Sequence, residues 1–181
     1  LYCGLSSRPA GIPEMLRQRG HRVIAMDIKN SPEQDLTDDA VWCRISDQIE
    51  HEVDFVLLSP PCGTFSACRG RGRGPRRLRS PAEPYGLSNP ATPFSAKDRE
   101  QLRVGNFHSV KSCLAMSTAR SAGCGFALER PEVIFPDQAS LSQLDEAKQV
   151  AMLPGVGTSS LDQCQFEGES RKPTSITFYT N

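Results

Sequence analysis

No run of apolar residues in this 181-residue sequence approaches the length of a membrane span, and no signal-peptide pattern is visible. Those two absences argue against a helical membrane protein or a secreted one. The sequence also lacks any C-x-x-C pair. Its seven cysteines stand at positions 3, 43, 62, 68, 113, 124 and 164. An odd, unpaired set of this kind speaks against a zinc site or a disulfide framework, and no metal centre is expected. Reduced thiols in an intracellular setting, cytosol or nucleus, are expected instead. An initiator methionine is missing, and Leu1 reads as the end of a strand. The chain is therefore expected to be an excised or N-terminally truncated domain, residues 1–181, long enough to bury one core.

Net charge is absent overall, with 21 basic and 21 acidic residues, but it is unevenly spread. Arg69, Arg71, Arg73, Arg76, Arg77 and Arg79 occupy one stretch that holds no acidic residue. Setting those six apart from the 21 basic residues leaves 15 against 21 acidic ones, a body near −6. An arginine-dense segment on a mildly acidic body suggests an anionic partner at that segment.

What the sequence does have is a centre. Phe55-Val56-Leu57-Leu58 is a continuous apolar run without polar alternation, the pattern of a strand buried on both faces of a parallel sheet. Pro60 and Pro61 end it, since proline cannot donate to a sheet ladder. Cys62 is the first reactive side chain beyond that end, where open α/β sheets carry their functional groups. A free cysteine is more often a small buried hydrophobe. The double proline and the following Gly63 turn the reading toward function.

Around this centre the chain reads as an α/β fold. Leu1–Ser7 resembles a strand end leading to a turn at Gly4, then a short helix with Pro13 in its first turn, Met15 and Leu16 facing inward, and Gly20 beyond its end. Residues 21–26 are expected to be a second buried strand ending at Asp27. In nucleotide-binding α/β folds such an acid takes ribose hydroxyls, although Asp27 would serve equally as a cap. Asp35 closes a second acidic turn, and Asp38 and Asp39 suit the start of a helix that buries Val41, Ile45 and Ile49. Residues 67–93, rich in Arg, Gly and Pro and without periodicity, are expected to be a long active-site loop acting as a mobile lid. Ser95 is placed to cap a helix from Ala96 to Ser121 with Phe107, Val110 and Leu114 on its inner face. A strand follows, ending at Glu129-Arg130-Pro131, then a helix near 141–153. Two antiparallel strands, 160–166 and 175–179, come last.

In this order, the Gly4 turn, Asp27, Asp35, Ser59-Pro60-Pro61-Cys62, Glu129-Arg130-Pro131 and the ending at Lys172-Pro173-Thr174 resemble the catalytic core of DNA cytosine-5 methyltransferases, in their compact phage and mobile-element form. The resemblance implies a Rossmann-like, mostly parallel, doubly wound sheet with an antiparallel final strand. It also implies S-adenosylmethionine as cofactor, lined by Cys3, Gly4, Leu5, Asp27, Ile28, Asp35 and Pro61. Cys62 would be the nucleophile and Glu129 would hold the base, with Arg171 and Lys172 beside them. Arg69, Arg71, Arg73, Arg76 and Arg77 would grip nucleic acid, DNA ahead of RNA, with charge that also lowers the Cys62 pKa. No target-recognition segment is present, so a separate one is implied. Two other readings stay open: methylation of an exocyclic amino group, and an inactive module that binds nucleic acid or the cofactor.

Overall fold

The computed structural model describes residue 1, residues 11–163 and residues 172–180. Its architecture is α/β, with a four-stranded mixed sheet and four α-helices among the described residues. In chain order these are α1 (Ile12–Gln18), α2 (Asp39–His51), β1 (Phe55–Leu58), α3 (Ala96–Ser121), β2 (Gly125–Pro131), α4 (Asp145–Ala151), β3 (Gly157–Asp162) and β4 (Pro173–Tyr179). The sheet order is β1-β2-β4-β3. β1 and β2 run parallel, while β4 is antiparallel to both β2 and β3. No helix among the described residues is long and apolar enough to cross a membrane.

Local signals place the helices. The Asp38 carboxylate accepts from the Ala40 amide at 2.9 Å and starts α2. Ser95 and Asp98 form a reciprocal capping box at the start of α3, leaving two fewer unsatisfied amides there. Gly20 (φ 85°) and Gly123 (φ 77°) adopt the left-handed conformation just past α1 and α3, where a side chain would be strained. α3 packs against α2, α4, β1 and β2. The core gathers there: Trp42, Ile45 and Ile49 of α2, Cys113, Met116 and Ala119 of α3, Val56 and Leu58, Phe126 and Leu128, and Leu144 and Val150.

Four expectations need correction. Only one strand pair is parallel and two are antiparallel, so the described sheet is mixed rather than mostly parallel. Residues 21–26 form no strand: none of the described residues pairs with them in a ladder. β1 is consequently an edge strand of the described sheet, buried on one face only. Val56 and Leu58 enter the core, whereas Phe55 is 49% exposed. Helix faces also differ: α3 turns Leu102, Ser109, Cys113 and Met116 inward and leaves Leu114 exposed, and Met15 of α1 is exposed. Small residues face the core of α3 because it lies close to its neighbours. Gly105 shows this: a Cβ there would lie 2.9 Å from both the Arg79 Nη2 and the Thr64 Oγ1.

Candidate active site

Parallel pairing brings the two carboxyl ends of β1 and β2 to one rim of the sheet, with Leu58 opposite Leu128. One residue further, Ser59 and Glu129 meet: the Ser59 hydroxyl donates to the Glu129 carboxylate at 2.7 Å. The other carboxylate oxygen accepts from Lys172 Nζ at 2.9 Å and from Gln163 Nε2 at 3.1 Å. Lys172 and Gln163 arrive from the two ends of the β3–β4 connection, joined by a bond from the Gln163 amide to the Lys172 carbonyl (3.2 Å). Burial alone would push the Glu129 carboxyl up, but the bonds from Lys172, Ser59 and Gln163, with the Lys172 charge, hold it below the usual carboxylate range. It is therefore an ionised acceptor.

Cys62 is half-buried at the same rim. Burial pushes its thiol up; the Lys172 charge pulls it down and the Glu129 charge pushes it up again. The Cys62 thiol thus lies within the electrostatic reach of both the Lys172 ammonium and the Glu129 carboxylate. The expectation that arginines lower the Cys62 pKa fails here, because Lys172 is the cation acting on it and burial prevails.

The turn carrying Cys62 is held from several sides. The Phe65 amide donates to the Cys62 carbonyl at 2.9 Å. Phe65 is buried beneath the Arg79 guanidinium, whose carbon lies 4.2 Å from the ring centre. The Phe65 carbonyl accepts from Gln138 Nε2 (3.3 Å), which also binds the Glu132 carbonyl (3.0 Å) and so ties the turn to the segment after β2. Thr64 is buried against Gly105 of α3. Pro60 is buried and Pro61 exposed.

The arginine segment holds no helix or strand, as its composition predicts, but its guanidinium groups serve unequal tasks. Arg69 is buried and donates to the Gly63 carbonyl (2.7 Å), the Arg76 carbonyl (3.0 Å) and Gln101 Oε1 (2.7 Å). Arg79 is 1% exposed and donates to the Pro84 carbonyl and to Asn106 Oδ1; burial and the Arg69 charge push it down to about 10. Arg76 binds the Thr92 and Pro93 carbonyls beside Phe94. Arg71 and Arg77 converge on the Asp137 carboxylate, and Arg71 also stacks 3.7 Å from the Phe135 ring centre. Arg73 is exposed. Of the five arginines expected to grip an anion, Arg69 and Arg76 hold the segment together, and Arg71 and Arg77 tie it to the segment after β2.

The Asp27 backbone amide donates to Gln34 Oε1 at 3.0 Å, and the Asp27 carboxylate accepts from the Lys29 amide at 3.0 Å. Asp35 accepts from the Thr37 amide and hydroxyl (2.9 and 2.8 Å), which keep it below the usual carboxylate range, with His108 of α3 adding a little. Ile28, beside them, is exposed. Cys3, Gly4, Leu5 and Arg171 lie outside the described residues. Sequence reasoning missed Ser59, Gln163, Gln138 and Thr64 as site residues. Ser59 had a signal, the same strand end as Cys62; the other three depend on tertiary register. Comparisons with family models, with curated proteins and with solved structures yielded no match to this chain.

Proposed function

We propose that the chain is a methyltransferase domain acting at C5 of cytosine in nucleic acid, DNA ahead of RNA, with Cys62 as nucleophile. The observation that carries this reading is the Glu129 carboxylate, held by Lys172 at 2.9 Å and Ser59 at 2.7 Å, at the same rim of a parallel strand pair as the Cys62 thiol, on which Lys172 and Glu129 both act. Cytosine C5 is a weak nucleophile until a thiolate adds to C6, which makes C5 enamine-like. Cys62 forms that C6–S bond, and the bond breaks again when the C5 proton leaves after substitution. The base must leave its stack to reach such a thiol.

Glu129 accepts from the cytosine amino group and sits at the ring nitrogen where negative charge grows. Its two opposing influences suit this task. Entry of a base in place of Lys172 would remove the strongest hydrogen bond that holds its pKa down while burial persists. Glu129 would then rise toward carrying the proton that N3 needs. Ser59 and Gln163 keep the carboxylate aimed meanwhile.

S-adenosylmethionine would supply the methyl group. The chemistry of Asp27 and Asp35 fits it: carboxylates suit ribose hydroxyls and an adenine amino group, and exposed Ile28 offers an apolar surface to a ring. Asp27→Ala is expected to weaken binding of the cofactor by about 1–3 kcal/mol in calorimetry, the scale of hydrogen bonds to a carboxylate. Unchanged affinity would remove Asp27 from the site.

The test of the reaction is covalent trapping on 5-fluorocytosine DNA and RNA, read by mass spectrometry. The wild-type chain should form the adduct and Cys62→Ser should not, while both bind the cofactor. Methylation surviving in Cys62→Ser would shift the chemistry to an exocyclic amine. The raised Cys62 thiol favours a second reading, an inactive binding module. Binding with neither adduct nor methylation would select it.

A further inference from the structure

Val133, Ile134 and Phe135 are consecutive large apolar residues that stand in solvent, 38%, 48% and 37% exposed, and no other such run occurs among the described residues. Pro136 and Asp137 extend the exposed tip. Water penalises a run of this kind, so it marks a contact surface. The tip is pinned at its base. Gln138 is buried and accepts from the Ile134 amide through Oε1 at 3.1 Å, while its own amide donates to the Phe135 carbonyl at 3.1 Å. On the other side the Glu132 amide donates to the Pro173 carbonyl at 3.1 Å. A tight turn thus holds three apolar side chains out of the core.

The tip shares its supports with the candidate site. It continues the strand that carries Glu129, and Pro173, which holds its base, follows Lys172. Gln138 Nε2 reaches the Phe65 carbonyl at 3.3 Å, in the turn that bears Cys62. The flank of the tip is cationic. Arg71 and Arg77 converge on Asp137, whose single carboxylate offsets one of their two charges, and Arg73, between them in the chain, is exposed. Arg71 also covers the Phe135 ring, 3.7 Å from its centre. A second copy of this tip would bring like charges together. Stacked bases between phosphate strands offer what the tip lacks, an apolar interior within a polyanion.

We propose that the Val133-Ile134-Phe135 tip is a wedge that enters the base stack of a nucleic acid, with Ile134, its most exposed side chain, filling the place of a base that has left the stack. Phe135, backed by Arg71, stiffens the wedge, and the arginines beside it meet the phosphates. The proposal rests on the reading that the chain acts on a nucleic-acid base outside its stack, and it adds the residue that keeps the vacated stack closed. Ile134 is thereby a positioning residue: it touches the neighbours of the reacting base and leaves the chemistry to others.

The test compares binding to a short duplex DNA, intact or with one abasic site opposite 2-aminopurine, whose fluorescence reports what lies beside it. A preformed gap spares the wedge the work of opening the stack, so the wild-type chain should bind the abasic duplex about tenfold more tightly, the scale of one stacking contact, and change the 2-aminopurine signal. Ile134→Ala should lose both the preference and the signal while keeping its affinity for the intact duplex and its melting temperature, and Ile134→Leu should retain all four. Equal affinity of the wild type for the two duplexes overturns the proposal, as does a preference that survives in Ile134→Ala. Binding to neither duplex overturns it together with the methylation reading. A preference for the abasic duplex that depends on Ile134, in a chain that forms no adduct with 5-fluorocytosine, supports the wedge and removes only the reaction assigned to Cys62.

Discussion

Lys172 sits between two groups that it moves in the same direction. Its charge pulls the Cys62 thiol down and, through a 2.9 Å bond, holds Glu129 down. Lys172→Met should therefore raise both. Alkylation of Cys62 by iodoacetamide, followed on its own peptide, should shift to higher pH in Lys172→Met; an unchanged profile would separate Lys172 from the thiol. Stability carries a second signature. The folded-state pKa of Glu129 is depressed, so its contribution is present above the unfolded pKa and disappears as pH falls through the folded one. Lys172→Met narrows that difference, so melting temperature should depend less on pH in the acid range than in the wild type. Ser59→Ala removes a bond to the same carboxylate and should cost about 1.5 kcal/mol in chemical denaturation.

At the scale of the element, the arginine segment divides into an inner and an outer set. Arg69→Ala strips three acceptors of their partner in a buried place and should cost about 2–3 kcal/mol. Arg73→Ala should leave stability unchanged. If the segment meets phosphate, Arg73→Ala lowers the slope of log affinity against log salt by about 0.9 for each phosphate it no longer neutralises. Asp137→Asn, by loosening Arg71 and Arg77, should strengthen binding at low salt. An opposite division, with Arg73 governing stability, would refute the assignment. The sequence announced this segment by composition and announced α3 by its Ser95 cap. It did not announce which arginines fold inward, because that follows from where Phe65, Gln101 and Asn106 lie in space. Val41, Ile45 and Ile49 were legible as a buried stripe because four-residue spacing is local. The failure at 21–26 has the opposite cause: an apolar run reads as a strand whether or not a neighbour is there to pair with it.

Across the whole molecule, the turn bearing Cys62, the arginine segment and α3 meet at Gly105. The apolar run before Cys62 and the carboxylate at the end of β2 could be read from sequence, but their meeting required the register of Leu58 with Leu128. Gly105 gave no signal at all; in the middle of a helix it looks like a weakness, about 1 kcal/mol worse than alanine. The packing reverses that judgement. A methyl group at 105 would lie 2.9 Å from Thr64 Oγ1 and 2.9 Å from Arg79 Nη2, both side chains being buried. Arg79 cannot swing away without leaving Phe65 and its acceptors at Pro84 and Asn106. Thr64 lies two residues from Cys62, so its retreat would move the thiol. Gly105→Ala should therefore lower stability by about 1–3 kcal/mol, the range of overpacked cores, despite its helix propensity. It should also change the alkylation rate of Cys62 with no substitution at the site itself. A Gly105→Ala protein more stable than wild type, with Cys62 reacting at its original rate, would mean that α3 and the Cys62 turn do not pack together as described.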